Sequence, residues 1–412
     1  MADEVNLRKE KKDKYAFWET QPVAQFDGDA GEGGSSADTE TKSLEREDGP
    51  IDALKTPADV KKEPYNLPAN FEWCECDMND NATREEVYAL LVNNYVEDDD
   101  EMFRFNYSAA FLKWALQPPG YKLEWHIGVR ATSSRKLVGF ITAIPATIRV
   151  RSASMPMVEI NFLCVHKKLR AKRLAPVLIK EITRRVNLHD IWQASYTAGV
   201  VLPKPVATAR YYHRSINPKK LIEINFSRLS SRMTMARTIK LYKLPDTPAT
   251  PGLRPMVEAD VPQVTGLLAE YLHGYQLAPQ LDEEEVRHWL MPVEDVIDCY
   301  VADDGTGNIT DFLSFYTLPS SVLHNPQHDI LKAAYMYYTV ANTVPVAQLM
   351  NDALILARDK NYDVFNALDI FQNQDFLKEL KFGIGDGHLQ FYLYNYYVAG
   401  KLKPQDVGLV LL

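Results

Sequence analysis

Glu159-Ile160-Asn161-Phe162-Leu163-Cys164-Val165-His166 is an apolar run that breaks into Lys167-Lys168-Leu169-Arg170-Ala171-Lys172-Arg173-Leu174-Ala175-Pro176 and then into an amphipathic pattern. The spacing predicts a strand, a tight basic turn and a helix over Ala175 to Val186. Pro176 suits a first helical turn, where its missing N–H removes no helical hydrogen bond. The free N–H groups of that terminus, its positive dipole end and the side chains of Lys167, Lys168, Arg170, Lys172 and Arg173 together make a site for a pyrophosphate. Charge alone would predict a solvated basic loop. The placement between strand and helix favours the anion site.

Outward from this stretch, one order of elements occurs twice. Val87, Leu90, Leu91 and Tyr95 have helical spacing and precede a hairpin pattern at Trp125 to Arg130 and Leu137 to Ile144. Val264, Leu267, Leu268 and Tyr271 repeat the helical spacing, and Val296 to Ala302 and Phe312 to Leu318 repeat the hairpin around Asp304-Gly305-Thr306-Gly307. A helix and a strand follow in each copy: Ala175 to Val186 then Ile191 to Tyr196, and Val346 to Ala357 then Val364 to Leu368. The pattern predicts a duplicated mixed α/β (α+β) unit, with chance likeness of amphipathic patterns as the alternative.

The 412 residues are 46% hydrophobic and 25% charged, enough apolar material for two cores or one large one. No apolar run approaches the roughly 18 residues that span a bilayer, and the N-terminal stretch has no signal-peptide core, so a soluble cytoplasmic protein without stable membrane insertion is expected. A net charge of -9 argues against general nucleic-acid binding and suits a basic partner. Cys74, Cys76, Cys164 and Cys299 form no C-x-x-C pair and lack matching histidines, which predicts reduced thiols and no metal site. Residues Asp27 to about Lys62 are rich in Gly, Ser, Asp, Glu and Pro and read as a mobile arm or linker, with order expected from Pro64. Ahead of it, Tyr15-Ala16-Phe17-Trp18 is too apolar for a plain tail and reads as a docking segment.

Arg170-x-x-Arg173-x-Ala175 resembles the R/Q-x-x-G-x-A loop with which the acetyl-CoA-dependent N-acetyltransferase superfamily holds the coenzyme A pyrophosphate, with Arg173 in place of the usual glycine. The longer string from Glu159 to Arg184 resembles N-myristoyltransferase at nearly every position. So do Tyr95-Val96-Glu97-Asp98-Asp99-Asp100-x-Met102-Phe103-Arg104-Phe105, Tyr196-Thr197-Ala198-Gly199-Val200-Val201-Leu202-Pro203, His213-Arg214-Ser215-x-Asn217-Pro218 and Lys381-Phe382-Gly383-Ile384-Gly385-Asp386-Gly387. The resemblance runs from Tyr15 to Leu412.

That resemblance implies two pseudo-symmetric acetyltransferase-like halves sharing a saddle-shaped sheet. It implies an arm over residues 1–62, an acyl-CoA-binding half over 63–235 and a peptide-binding half over 236–412. The activity implied is transfer of myristate from myristoyl-CoA to the N-terminal glycine amine of proteins, by a monomer without a metal. The sequence begins Met1-Ala2, not Met-Gly, so this chemistry would be done to others.

By the same resemblance, the Phe162 and Leu163 amides form an oxyanion hole, and the Leu412 carboxylate takes the amine's proton with Thr197 and Asn161 nearby. Leu163, Cys164 and Val165, with Arg170, Ala171, Lys172, Arg173, Leu174 and Ala175, would bind coenzyme A under a cover of Tyr15, Ala16, Phe17 and Trp18. Asp98, Asp100 and Asp386 would meet substrate lysines, with a preference for Ser or Thr close by. Val96, Phe103, Phe105, Tyr107, Tyr211, His213, Ser320, Tyr335, Asn366, Gly387 and Leu389 would line the peptide groove. Tyr212 stands where relatives often carry tryptophan.

Three of these readings have plainer alternatives in the residues themselves. Val407 to Leu412 reads as a buried strand, which is ordinarily only packing. Cys164 and His166 share a strand face and suggest an acyl-cysteine route, against which a buried thiol and a surface histidine are the simpler reading. A short-chain N-acetyltransferase would share the Arg170 to Ala175 loop, and a silent binding module would share the groove.

Overall fold

A computed structural model describes residues 15–26, 46–96 and 101–412. The first half runs β1 (Phe71–Glu75), α1 (Asn81–Asn94), β2 (Phe103–Phe105), α2 (Ala109–Leu116), β3 (His126–Ala131), β4 (Leu137–Val150), β5 (Ala153–Val165), α3 (Leu174–Asn187), β6 (Ala194–Ala198) and β7 (Ala207–Ser215). The helices α4 (Pro218–Glu223) and α5 (Met235–Tyr242) lead to β8 (Leu253–Pro255), α6 (Val261–His273), β9 (Leu277–Pro279), α7 (Glu283–Leu290), β10 (Ile297–Asp303) and β11 (Ile309–Thr317). The chain closes with β12 (Ser320–Val322), β13 (Ile330–Leu331), β14 (Ala333–Met336), α8 (Val346–Asp359), β15 (Val364–Leu368), α9 (Gln374–Leu377) and β16 (Gly383–Tyr394).

One 13-stranded sheet carries both halves in the order β1-β3-β4-β5-β6-β16-β7-β15-β14-β11-β10-β8, with β9 beside β4. From either end the order repeats: antiparallel strands, then a parallel pair bridged by a helix, β5 with β6 through α3 and β14 with β15 through α8. At the centre the halves exchange last strands. β16 lies between β6 and β7, and β7 lies between β16 and β15. The expected mixed α/β architecture of two related units on one sheet is therefore present.

Helical stripes fix the layers. Leu174, Leu178, Ile182 and Val186 of α3 recur every fourth residue and pack on Ile127, Val129 and Ile141. Leu349, Met350, Ala353 and Leu354 of α8 do the same on Leu313, Phe315 and Phe365. Each such side chain contributes roughly 1.5–3 kcal/mol by leaving water. The largest core joins α1 and α2 to α6 and the C-terminal residues, so it runs through both halves.

Three expectations change. The segment 46–62, read as part of a mobile arm, is held to the body. The Asp48 carboxylate accepts from Arg151 Nη1 at 2.7 and 2.8 Å and from the Ala399 amide, and Gly49 exchanges backbone hydrogen bonds with Tyr397. Arg184 donates to the carbonyls of Lys61 and Lys62, while Glu181, fully buried, binds Arg184, Arg185 and the Tyr65 amide. Second, Val407 to Leu411 is buried as expected but makes one isolated bridge, Val407 to Leu277, in place of a strand. Third, the basic turn is longer than a tight turn, being a 3-10 helix over Lys167–Lys172.

Candidate active site

The parallel strands β5 and β6 pair only at Val158 with Ala194 and Glu159 with Ser195, although β5 continues to Val165 and β6 to Ala198. Beyond that point β6 is held by β16, with Thr197 opposite Phe391. The sheet is split there, with Asn161, Phe162 and Leu163 on one wall and Thr197 on the other.

Phe162 adopts a left-handed conformation at φ 54, unlike any other non-glycine residue inside a strand among the described residues. The register against β4 slips at this point: Asn161 faces Thr142 and Cys164 faces Phe140, so Phe162 and Leu163 share Ile141. Such a bulge re-aims backbone amides out of the ladder and carries strain on the order of 1–3 kcal/mol. Packing sustains it. The Phe162 ring is buried with its centroid 5.0 Å from Tyr107 and 6.0 Å from Tyr95.

At the last paired position, burial pushes the Glu159 carboxyl up to about 8, with Glu285 adding to the effect, although part of the residue reaches solvent. Cys164 is buried, and its thiol is pushed up to about 12 by that burial despite Arg170. His166 lies past the strand, and its Nδ1 accepts from the Lys168 amide at 3.3 Å. Burial, Lys136 and Lys168 all hold its ring below the ordinary pKa. A protonated thiol beside a histidine engaged in its own turn does not make a nucleophile and base pair.

Arg173 ends the 3-10 helix in the left-handed region, at φ 56 and ψ 32, and α3 starts at Leu174. This backbone explains why the related loop pattern favours glycine at that position. Among the described residues no side chain caps α3, which leaves its first amides to an anion, with the side chains of Lys168, Lys172 and Arg173 exposed around them. Pro176 is the third helical residue. Arg170 has a further role, because its Nη2 donates to the Asn94 carbonyl at the end of α1.

The segment Tyr15 to Trp18 lies against the β6 side of the split. Trp18 stacks on Tyr196 at 5.8 Å, Tyr196 stacks on Tyr392 at 5.0 Å, and Phe17 meets Trp18 edge-on. Backbone bonds extend the docking: Asn395 N–H to the Pro22 carbonyl and Lys204 N–H to the Ala24 carbonyl. The Tyr15 hydroxyl donates to the Val201 carbonyl at 3.3 Å.

From the Phe162 bulge a row of rings runs across both halves, through Tyr107, Phe105, Tyr335 and Tyr211 to His213. His213 Nδ1 is 2.6 Å from Asn366 Oδ1 across the β7 and β15 pair. Phe226 joins His213 to Phe103, and Ser320 pairs with Phe105. A cavity of about 20 Å³ is lined by Tyr211, Tyr335, Asn366, Leu389, Val410 and Leu411, so the groove and the C-terminal residues meet. Leu412 packs on the same core.

The β16 register slips between Ile384 and His388, where Gly385 lies so close to His213 that a Cβ would collide with the imidazole and the Tyr211 carbonyl. Asp386 is exposed in this bulge, and Gly387 follows beside Tyr211. Val96 is half exposed, while Asp98 and Asp100 lie outside the described residues.

Sequence reading missed Tyr196 and Tyr392, which support the arm, and Tyr338, whose hydroxyl accepts from the Val410 amide. The signal for Tyr392 was the alternating Phe391-Tyr392-Leu393-Tyr394 run. Nothing local in the sequence marked Tyr338.

A split parallel pair beside a basic helix start, with a row of aromatic rings running from it, is an arrangement that suits an acyltransferase of the two-unit kind. A family model described as myristoyl-CoA:protein N-myristoyltransferase, N-terminal domain, matches residues 50–209, and its C-terminal-domain counterpart matches 223–410. The chain is 60% identical over 399 residues to glycylpeptide N-tetradecanoyltransferase 1 of Arabidopsis thaliana, spanning 97% of this chain and 89% of that protein. It is 55% identical over 406 residues to glycylpeptide N-tetradecanoyltransferase 2 of Danio rerio, spanning 98% and 79%. A crystal structure of Saccharomyces cerevisiae N-myristoyltransferase with bound myristoyl-CoA superposes with a TM-score of 0.86 at 45% identity, over 95% of this chain and 93% of that one. This chain belongs to the N-myristoyltransferase family and is an acyltransferase.

Proposed function

We propose that this chain transfers the myristoyl group of myristoyl-CoA to the N-terminal glycine amine of other proteins by direct attack. The observation that carries the mechanism is the left-handed bulge at Phe162, on the wall where β5 parts from β6. Its amide and that of Leu163 serve the thioester oxygen, on which negative charge develops. The uncapped start of α3 and its basic turn hold the coenzyme A pyrophosphate, Leu163 to Val165 line the acyl-CoA, and Tyr15 to Trp18 cover it.

A terminal amine with a reference pKa near 8 is mostly protonated at neutral pH and must lose a proton before attack. The α-carboxylate of Leu412 takes it, a role that requires a chain ending at this residue, with Asn161 and Thr197 orienting the amine. The amine nitrogen then bonds to the carbonyl carbon, the carbon–sulfur bond breaks, and coenzyme A leaves as its thiol. No covalent enzyme intermediate is needed, in keeping with the buried, protonated Cys164.

The peptide extends along the row from Phe105 and Tyr107 to Tyr211 and His213, with Ser320, Tyr335, Asn366, Gly387 and Leu389 beside it. Asp98, Asp100 and Asp386 select lysine a few residues in, next to a Ser or Thr preference. The residues 63–235 carry the acyl-CoA, 236–412 most of the peptide groove, and the enzyme acts as a cytoplasmic monomer in lipoprotein biosynthesis. Incubation with myristoyl-CoA and a peptide beginning Gly-x-x-x-Ser-Lys, read by mass spectrometry, should give the acylated peptide. No product, or equal use of acetyl-CoA, overturns the reading.

A further inference from the structure

Cys74 lies on β1, and Cys76 is the first residue after the strand, two positions on and still extended alongside β3. Cys74 is directly opposite Gly128 of β3, and the Cys76 amide bonds the His126 carbonyl just past the pair. Both sulfurs fill the space that the glycine leaves: a Cβ on Gly128 would be 2.6 Å from Cys74 Sγ and 2.7 Å from Cys76 Sγ. The two thiols are thus gathered at one point above the glycine, with Leu137 Cδ1 closing the same space at 2.8 Å from that Cβ position.

The two sulfurs are chemically unequal. Cys74 is partly exposed, whereas Cys76 is buried with no accessible surface. Arg130, already paired with Glu86 of α1 by two hydrogen bonds, lies beside Cys74. A hydrogen bond from Cys76 and the arginine charge bring the Cys74 thiol down to about 7, and the same hydrogen bond and burial hold Cys76 well above the ordinary thiol range. An accessible, acidic thiol next to a second, protonated one is the arrangement of an attacking and a resolving cysteine.

We propose that Cys74 and Cys76 form a redox-responsive dithiol, oxidised by hydrogen peroxide to a Cys74–Cys76 disulfide. In the first step the Cys74 thiolate attacks one peroxide oxygen, the O–O bond breaks, and the departing hydroxide takes a proton to become water. Cys74 is left as a sulfenic acid. Cys76 then gives up its proton, its sulfur attacks the Cys74 sulfur, the S–O bond breaks, and a second water leaves. Two thiols have lost two electrons and two protons, and one peroxide has become two waters.

Strand geometry sets the character of this bond. Alternate Cα atoms in a strand are roughly 6.6 Å apart, at the upper limit of what a disulfide spans, so closure must pinch β1. Among the described residues β1 is an edge strand paired only with β3, and its end can bend without breaking a second ladder. A strained bond is the more easily reduced, which makes the change reversible. The other two thiols serve as internal controls, because burial raises the pKa of both Cys164 and Cys299.

The test uses the full-length protein with stoichiometric hydrogen peroxide at pH 7, acid quench, alkylation and peptide mass spectrometry. The peptide carrying Cys74 and Cys76 should be two hydrogens lighter and unalkylated, should revert with dithiothreitol, and should form at least tenfold faster than any change at Cys164 or Cys299. In Cys76→Ser the sulfenic acid should persist on Cys74 and be trapped by dimedone. In Cys74→Ser, Cys76 should stay a thiol. Full alkylation of both cysteines after peroxide, oxidation no faster than at Cys164, or a disulfide to another partner overturns the proposal.

Discussion

The Arg170 guanidinium donates to the Asn94 carbonyl at 2.6 Å, while the Lys167 amide donates to the Asn94 side chain at 3.0 Å. The basic turn thus grips the last residue of α1, where the negative end of the helix dipole favours a cation. Arg170→Ala should lower unfolding stability by about 1.5–3 kcal/mol, the range for hydrogen bonds to charged groups, and raise KM for acyl-CoA while changing kcat less. Urea unfolding and steady-state kinetics measure both. An altered KM with unchanged stability would mean that the contact to Asn94 contributes nothing.

Arg173 is the position at which charge and backbone pull in opposite directions. Glycine there relieves a left-handed residue of roughly 1–2 kcal/mol but removes one exposed cation from the turn. Arg173→Gly should therefore unfold at higher urea concentration and bind acyl-CoA more weakly, with the loss growing at low salt. Arg173→Ala should lose the same affinity without the gain in stability.

Glu181 carries two arginines and the Tyr65 amide in a buried site. Removing it leaves the buried Arg184 guanidinium without its carboxylate, while Arg185 keeps Glu75, so Glu181→Ala should cost about 3–5 kcal/mol. Limited proteolysis should show faster cleavage near Lys61 and Lys62, whose carbonyls Arg184 holds. Unchanged cleavage would separate that segment from the network.

Two groups drawn out of water, one fully and one partly, set opposing pH dependences. Burial lowers His126 to about 4 from an ordinary 6.5, so the unfolded chain binds the extra proton between these values, and stability falls as pH drops from about 6.5 to 4. Glu159 is raised from 4.5 to about 8, so the folded chain holds the extra proton there, and stability falls as pH rises from about 4.5 to 8. Glu159→Gln should match the parent near pH 5 and be more stable above pH 8, by on the order of 1–2 kcal/mol after allowance for partial exposure. Thermal melts across this range would show it.

The proposed role of the Leu412 α-carboxylate as base predicts the effect of extending the chain by one residue beyond Leu412. Turnover should be lost while acyl-CoA binding, read by calorimetry, persists. Retained turnover would exclude that carboxylate as the base.

Much of this site was legible because its signals are local. Strand, basic turn and helix follow one another within Glu159 to Val186, and the helix stripe of α3 falls where its period places it. The duplication was also visible as repeated element order. The exchange of β7 and β16 was not, since pairing partners far apart in sequence leave no local pattern. The bulge at Phe162 was equally hidden, because phenylalanine has no preference for a left-handed backbone and it is tertiary packing on Tyr107 and Tyr95 that holds it. Residues 46–62 were misread for the reverse reason: their composition is that of a linker, yet Asp48 and Gly49 bind groups near Tyr397 and Ala399.

The strand exchange also bears on how the chain can be made. β6 and β7 are complete when residue 215 has been synthesised, but the strand that belongs between them ends at Tyr394. During translation the first half therefore waits with two exposed strand edges for nearly the whole remaining chain, a long-range closure that slows folding and invites pairing with other nascent chains. A ribosome stalled between the halves would release a fragment that holds the basic turn and still lacks a finished sheet.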